Sequence, residues 1–296
     1  MRRFLSKALC NCCKPNDVNK TTSKYKVDSI QNVNLHSNLP FIKKTQIGKG
    51  AYGKVYSGIY HGKKHNSLCA IKILNENCFY ENEYIVSSIA KNLNSQYLCN
   101  LWNISKHNNT YYLVYPKYTK GDLFEYFNSR IITYYDIKHY IKQILYCVKE
   151  LNDIGYAHLD IKLENFLLTE DNDLVLTDFG CARPLYDNNQ LYSTENKIGT
   201  YSYIAPEVNL NYYGKNTDTW SIGVCLYILL NRENLYESVV EFIEDNINSK
   251  GEFELGEMNM TDPDNLEYLI RSMIVLDPKK RISIQEAIRF IERSEI

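Results

Sequence analysis

The chain has 296 residues, which is enough for one large domain or two small ones. Its 34 Lys and Arg are balanced by 35 Asp and Glu, so we expect no nucleic-acid partner, because such binding depends on a basic excess. Hydrophobic residues make up 44% and charged residues 23%, which excludes a fibrous or wholly disordered chain. The longest uncharged apolar run, Ser221–Leu230, is too short to span a membrane and predicts a buried helix.

Residues 1–40 differ in composition from the rest of the chain. They are rich in Asn, Ser, Thr and Lys and lack periodicity, which predicts a tail or linker. Cys10, Cys12 and Cys13 lie near its basic start. Palmitoylation of these cysteines beside basic residues would supply the two signals that stable membrane anchoring requires. Two alternatives stay open: a basic tail with spare thiols, and a metal site that lacks a fourth ligand.

The other six cysteines occur singly, without a C-x-x-C pair or a histidine at zinc-like spacing. This pattern is typical of reduced thiols, and we expect a cytoplasmic protein. They are Cys69, Cys78, Cys99, Cys147, Cys181 and Cys225.

The residue pattern predicts mainly strands from Phe41 to Asp122 and mainly helices after Asp122. β-Branched and aromatic residues favour strands over Phe41–Gly48, Gly53–Tyr60, Leu68–Leu74 and Tyr111–Val114. Helical spacing relates Ile137, Ile141, Ile144, Leu145 and Val148, and also Ile85, Val86, Ile89, Ala90 and Leu93. Strands followed by helices predict an α+β fold of two lobes.

A glycine-rich segment falls between the first two predicted strands. It reads Gly48, Lys49, Gly50, Ala51, Tyr52, Gly53, Lys54, Val55. The G-x-G-x-x-G spacing also opens dinucleotide-binding folds, but there the glycines lead into a helix, whereas here a strand continues. Glycines in a strand–turn–strand suit a flap over nucleotide phosphates, and a plain hairpin is the alternative.

A lysine ends the next apolar strand, in Cys69-Ala70-Ile71-Lys72. An unpaired lysine there would be costly, but beside a phosphate flap it becomes a cation for the α- and β-phosphates. The two features together make the chain resemble a protein kinase.

Two later motifs strengthen this resemblance. Ala157-His158-Leu159-Asp160-Ile161-Lys162-Leu163-Glu164-Asn165 and Asp178-Phe179-Gly180 resemble the catalytic loop and metal-binding motif of protein kinases. Phosphoryl transfer requires a carboxylate near the attacking hydroxyl and oxygen ligands for Mg²⁺. Asp160, Asn165 and Asp178 have these properties.

The resemblance implies a role for each site residue. Asp160 would be the base or orienting group for the substrate hydroxyl, and Lys162 would steady the transferred phosphate. Asn165 and Asp178 would hold Mg²⁺. ATP would contact the glycine-rich segment and Lys72, with Ala70, Tyr118 and Asp122 also in the nucleotide site.

The resemblance covers residues 41–293 and implies a bilobal kinase domain, with a β-rich lobe at 41–118 and a helical lobe at 119–293. Gly199–Glu207 resembles the end of an activation segment. Arg281 in Leu276–Arg281 would form a buried ion pair with Glu207. Lys162 and Thr200 are residues typical of the serine/threonine group of protein kinases. We therefore expect a monomeric serine/threonine kinase that acts on protein substrates.

Three positions depart from the family pattern. Leu159 occupies the place of the arginine that normally receives an activation-loop phosphate, which predicts activity without that phosphate, although Ser193 and Thr194 are available acceptors. Lys72 should pair with a glutamate, for which Glu83 is preferred over Glu81, and a surface carboxylate is the alternative for Glu83. Tyr115 should close the back of the adenine pocket.

Two other classes compete with an active protein kinase. A pseudokinase would keep the fold as a binding module, but Lys72, Asp160, Asn165 and Asp178 are all present. A small-molecule kinase is disfavoured by Ala205-Pro206-Glu207, which resembles the peptide-docking region of protein kinases.

Overall fold

The structure is a computed structural model that describes residues 39–49, 53–62, 66–78, 81–186, 190–194, 198–231 and 266–293. The tail cysteines, together with Gly50, Ala51 and Tyr52, lie outside the described residues. Helices and strands are numbered in chain order within these ranges.

The N-terminal lobe is a five-stranded antiparallel sheet with the order β1-β2-β3-β5-β4. Its strands are β1 Phe41–Lys49, β2 Lys54–His61, β3 Asn66–Asn75, β4 Asn103–His107 and β5 Thr110–Pro116. Four strands lie where the sequence predicts them. The edge strand β4 was not predicted, because its five residues are mostly polar and only Ser105 is buried.

Helix α1, Glu81–Leu93, packs against the sheet and is the only α-helix described in this lobe, where a short 3-10 helix, Glu76–Cys78, precedes it. Its buried face includes Val86, Ile89 and Ala90, as the periodicity predicts. Leu93 is 45% exposed, whereas Glu83 is buried. The apolar pattern alone therefore wrongly assigns Leu93 to the buried face and omits Glu83. The pairing of Glu83 with Lys72 turns this part of the helix toward the interior.

The C-terminal lobe is mainly helical. Its described helices are α2 Leu123–Asn128, α3 Tyr134–Asp153, α4 Pro206–Asn209, α5 Thr217–Asn231, α6 Leu266–Met273 and α7 Ile284–Arg293. A capping box of Thr133 and Asp136 begins α3 and satisfies N–H groups of its first turn. Helix α5 contains the predicted buried segment Ser221–Leu230 and is buried around its whole circumference.

Within the described residues, three short two-stranded sheets hold the segments between these helices in place. They pair β6 Tyr156–Ala157 with β9 Arg183–Pro184, β7 Phe166–Leu168 with β8 Leu174–Leu176, and β10 Tyr192–Ser193 with β11 Tyr212–Tyr213. The turns after β6 and β8 therefore carry the catalytic-loop and Asp178 motifs toward the sheet.

One buried apolar cluster extends from Leu74 and Val86 in the sheet lobe to Ile141 and Phe166 in the helical lobe. The α+β bilobal prediction is confirmed. Within the described ranges, no helix combines the length and apolar character needed to cross a bilayer. The described cysteines are free thiols, all buried except Cys78, which is half-buried.

Candidate active site

Lys72 connects two carboxylates at the boundary between the lobes. Its Nζ lies 2.7 Å from Glu83 Oε1 and 2.7 Å from Asp178 Oδ1. Strand β3 supplies the lysine, helix α1 the glutamate, and the turn after β8 the aspartate. Glu83, rather than the exposed Glu81, is the partner of Lys72. The structure thus joins three elements that are distant in the sequence.

The electrostatics of this group reflect its burial. Burial alone would lower the pKa of Lys72, but the carboxylates of Glu83 and Asp178 raise it above its ordinary value. Burial would raise the pKa of Asp178, whereas the Lys72 ammonium holds it below its ordinary value. Lys72 is therefore a permanent cation at neutral pH, and Asp178 is ionised.

The catalytic loop brings Asp160 and Lys162 together with Thr200. Thr200 Oγ1 donates to Asp160 Oδ1 at 2.6 Å and accepts from Lys162 Nζ at 2.8 Å. Lys162 Nζ also lies 3.1 Å from Asp160 Oδ2. The sequence motif did not assign this bridging role to Thr200, because 40 residues separate it from Asp160. Asn165 Nδ2 also donates to Asp160 Oδ2 at 3.3 Å, so three side chains orient the carboxylate.

Gly199 allows this approach of the two segments. Its φ is +85°, and a Cβ atom there would lie 2.4 Å from the carbonyl oxygen of Leu159. Any larger residue would push Thr200 away from Asp160. Leu159 itself has φ +64°, an unfavourable value for a branched side chain.

Asp218 and His158 fix the backbone of the catalytic loop. The Asp218 carboxylate accepts the backbone N–H groups of His158 and Leu159 at 2.7 and 2.8 Å. His158 Nε2 lies 3.0 Å from the carbonyl of Thr177, and its Nδ1 accepts the Asp160 N–H at 3.2 Å. A carbonyl can only accept, so His158 is the neutral Nε2–H tautomer. Asp218, a buried charge at the start of an apolar helix, was a signal that sequence reasoning left without a role.

Asn165 and Asp178 offer the oxygen ligands of the site. Asn165 Nδ2 donates to the Asp160 carbonyl at 2.7 Å, which commits its nitrogen and leaves the amide oxygen as a ligand. Asp178 adopts φ +62° after β8, and its side chain is 38% exposed. One amide oxygen and one carboxylate fit Mg²⁺, which keeps several waters or phosphate oxygens. No cluster of three or more His, Cys, Asp or Glu suited to a metal occurs in the described part of the chain.

The described residues of the glycine-rich segment lie at the paired ends of β1 and β2. Gly48 pairs with Val55 and Lys49 with Lys54 across the hairpin. A Cβ atom on Gly53 would lie 2.4 Å from the Ile73 carbonyl oxygen, so only glycine fits there. Gly53, Lys54 and Val55 therefore lie beside β3, where Val55 is paired with Lys72.

The remaining residues predicted to contact the nucleotide lie on β3 or in the segment after β5. Ala70 pairs with Tyr115 across these strands, and Tyr118 lies two residues beyond β5. Burial raises the pKa of Tyr118 well above its ordinary value. The Asp122 carboxylate accepts the Glu125 N–H at 2.9 Å and caps α2, so one of its oxygens has a structural task.

The buried ion pair of Glu207 and Arg281 is present beneath the activation segment. Arg281 Nη1 and Nη2 each lie 2.6 Å from a Glu207 oxygen, and both side chains are fully buried. Thr217 Oγ1 also donates to Glu207, and Arg281 Nε donates to the Val275 carbonyl. The pair fixes the segment's end to the helical lobe.

These features define a bilobal protein with a kinase-type cleft: a lysine joined to two carboxylates below a glycine-rich hairpin, and an oriented aspartate facing it. The protein kinase domain family matches residues 41–290, and the chain belongs to this family.

Curated relatives agree with this assignment. The chain is 31% identical over 254 residues to a maternal embryonic leucine zipper kinase of Xenopus tropicalis, which covers 81% of this chain and 37% of the relative. It is 27% identical over 290 residues to a probable serine/threonine-protein kinase of Dictyostelium discoideum, with coverages of 95% and 59%. A titin homolog of Caenorhabditis elegans is 30% identical over 278 residues, with coverages of 90% and 2%. The chain thus spans less than two thirds of each relative's length.

Proposed function

We propose that this chain is a serine/threonine protein kinase that transfers the γ-phosphate of ATP to Ser and Thr hydroxyls of protein substrates. The observation that carries the proposal is the position of Lys72, which contacts both Glu83 and Asp178 at 2.7 Å. A lysine held in this way is oriented to bind the α- and β-phosphates. A binding module without transfer chemistry would not require one lysine to contact both carboxylates.

In this proposal Asn165 and Asp178 hold Mg²⁺, because they present the hard oxygen ligands that it prefers. When bound, Mg²⁺ supplies positive charge that offsets the phosphate oxygens. Asp160 orients the substrate hydroxyl and accepts its proton, and Lys162 steadies the transferred phosphate. The backbone of the glycine-rich segment binds the phosphates, and Ala70, Tyr118 and Asp122 bind the rest of the nucleotide.

The proposed preference for Ser and Thr acceptors is supported by Thr200. Its hydroxyl bridges Lys162 and Asp160, the two residues proposed to act on the transferred phosphate and the substrate hydroxyl. The name of the Dictyostelium relative points to the same acceptor class.

We also propose that the catalytic domain comprises residues 41–293 as a monomer behind a tail of residues 1–40. Palmitoylation of Cys10, Cys12 and Cys13 would anchor that tail at the cytoplasmic leaflet with the help of neighbouring basic residues. A hydroxylamine-sensitive label that disappears when all three cysteines are changed to serine would support acylation. A label that never forms, or that persists in the variant, would contradict it.

The decisive test is Mg²⁺-dependent transfer of labelled γ-phosphate to a mixture of protein substrates. We expect phosphoserine and phosphothreonine from the wild type, and a loss of at least 100-fold in Asp160→Asn, since general-base contributions are about 10²–10⁴-fold. Asp171→Asn is the matched control, because Asp171 is exposed on the β7–β8 turn. A wild-type chain that binds ATP but transfers nothing, or that phosphorylates only small molecules, would contradict the proposal.

A further inference from the structure

Tyr115 makes a polar contact that its expected role as a bulky back wall does not explain. It lies on β5, is buried, and pairs with Ala70 across the sheet. Its hydroxyl donates to Glu83 Oε1 at 3.2 Å. The same oxygen accepts from Lys72 Nζ at 2.7 Å. A phenylalanine would fill the same space without this contact.

The carboxylate of Glu83 requires donors because its side chain is only 2% exposed. A buried carboxylate without hydrogen-bond partners is strongly destabilised. Burial raises the pKa of Glu83 above its ordinary value, and the hydrogen bonds from Lys72 and Tyr115 oppose this shift. The phenol therefore favours the ionised form of Glu83, which is the form that attracts Lys72.

The surroundings of the phenol are polar on the α1 side as well. Ser87 follows Glu83 by one helical turn and is fully buried, and its Oγ makes no hydrogen bond. It is nonetheless close enough to interact with the Tyr115 hydroxyl. Tyr115 is thus the hydrogen-bond donor that β5 directs toward helix α1.

We propose that Tyr115 is a positioning residue for phosphoryl transfer, whose hydroxyl holds Glu83 in the orientation that pairs with Lys72. The inference rests on the proposed kinase function. It links helix α1 to the strand that continues into the nucleotide-binding segment at Tyr118. Loss of the hydroxyl should let Glu83 rotate away from Lys72 while the ring still fills the back wall.

Tyr115→Phe tests this role, with Tyr112→Phe as the matched control on the opposite face of the same strand. We expect kcat/KM for ATP to fall about tenfold or more in Tyr115→Phe, since hydrogen bonds to charged groups are worth more than neutral ones. Tyr112→Phe should stay within about twofold of the wild type. Equal values for the two variants would overturn the proposal.

The pH profile separates positioning from simple packing. The charged and titratable groups that face Glu83 are Lys72 on β3, Asp178 after β8, Tyr115 on β5 and Cys99 before β4. Removing the Tyr115 donor should raise the pKa of Glu83 further, so the acidic limb of kcat/KM should move to higher pH. An unmoved limb would contradict the proposal.

A double-variant cycle with Glu83→Gln completes the test. Tyr115→Phe should cost little once Glu83 is already neutral, whereas additive losses would assign the effect to packing. If the wild type transferred no phosphate, the proposed function would fail. The positioning role would then be judged by calorimetric titration with Mg·ATP, whose affinity should fall about tenfold in Tyr115→Phe and remain unchanged in Tyr112→Phe.

Discussion

The charged side chains of Arg281 and Glu207 are fully buried. The fold can accommodate these buried charges because hydrogen bonds satisfy them. Both Glu207 oxygens accept from the guanidinium, and Thr217 donates to one of them. The guanidinium also lies 5.1 Å from the centre of the Trp220 ring. Such a pair adds little net stability over apolar residues, but removing one partner leaves the other as an uncompensated buried charge.

Arg281→Met should therefore lower the free energy of unfolding by about 3–5 kcal/mol. Urea denaturation of the wild type and the variant measures this difference. Arg271→Met is the control, since Arg271 pairs with Glu267 in a half-buried i,i+4 contact within α6 worth about 0.2–0.5 kcal/mol. If the free energy of unfolding fell by less than about 1 kcal/mol in Arg281→Met, the prediction would be wrong, and the ion pair would not be needed for stability.

Site residues that belong to a local sequence motif could be predicted from the sequence. Contacts between residues far apart in the chain could not. Lys72, Asp160 and Asp178 stand out because a charge follows or interrupts an apolar segment. The bond from Tyr115 to Glu83 spans 32 residues, and that from Asp218 to the catalytic loop about 60. Neither has a periodicity or motif that could reveal it, because only the packed lobes bring the partners together.

At the scale of elements, strongly patterned segments were predictable and short ones were not. Strands β1, β2, β3 and β5 and the long helix α3 follow from β-branched or 3.6-residue patterns. Short two-stranded sheets such as β6–β9 contain two residues per strand, and their pairing is fixed by tertiary contacts. The fold class could therefore be predicted from the sequence. The short strands that hold the activation segment could not.

The activation segment is held by backbone pairing and aromatic contacts. Strands β9 and β10 pair with β6 and β11, and the Thr194 N–H donates to the Asn211 carbonyl. The Tyr192 ring lies 5.4 Å from that of Tyr186 and 5.5 Å from that of Tyr213. Arg183 Nη1 donates to the backbone carbonyls of residues 180 and 182.

These contacts predict activity without activation-loop phosphorylation. Ser193→Ala and Thr194→Ala should retain wild-type turnover, because backbone atoms make the β10–β11 pairing and Leu159 offers no positive charge to a phosphate. Tyr192→Ala should lower turnover, since it removes two ring contacts. Protein verified as unphosphorylated by mass spectrometry is the reference. If that protein were inactive and gained activity when Thr194 is phosphorylated, the prediction would be wrong.

At the scale of the whole molecule, a net charge of −1 conceals a strong segregation of charge. Residues 1–75 contain 14 of the 34 Lys and Arg but only 2 of the 35 Asp and Glu. Lys49 and Lys54 are directly opposed across β1 and β2, which is unfavourable for like charges. Lys43 and Lys54 are exposed on β1 and β2, continuous in sequence with the basic tail. The near-zero sum is thus an average over a basic N-terminal part and an acidic remainder.

This segregation predicts salt-sensitive binding of the full chain to vesicles that contain phosphatidylserine, with weak binding to neutral vesicles. A lysine near an anionic leaflet contributes about 1 kcal/mol, so the loss of two lysines alone should weaken binding roughly 30-fold, and Lys43→Glu/Lys54→Glu should weaken cosedimentation by at least that factor. Lys149→Glu/Lys280→Glu makes the same charge change on the helical lobe and should bind like the wild type. Equal binding of both double variants would contradict a contact through Lys43 and Lys54, and binding unaffected by 0.5 M salt would contradict an electrostatic contact.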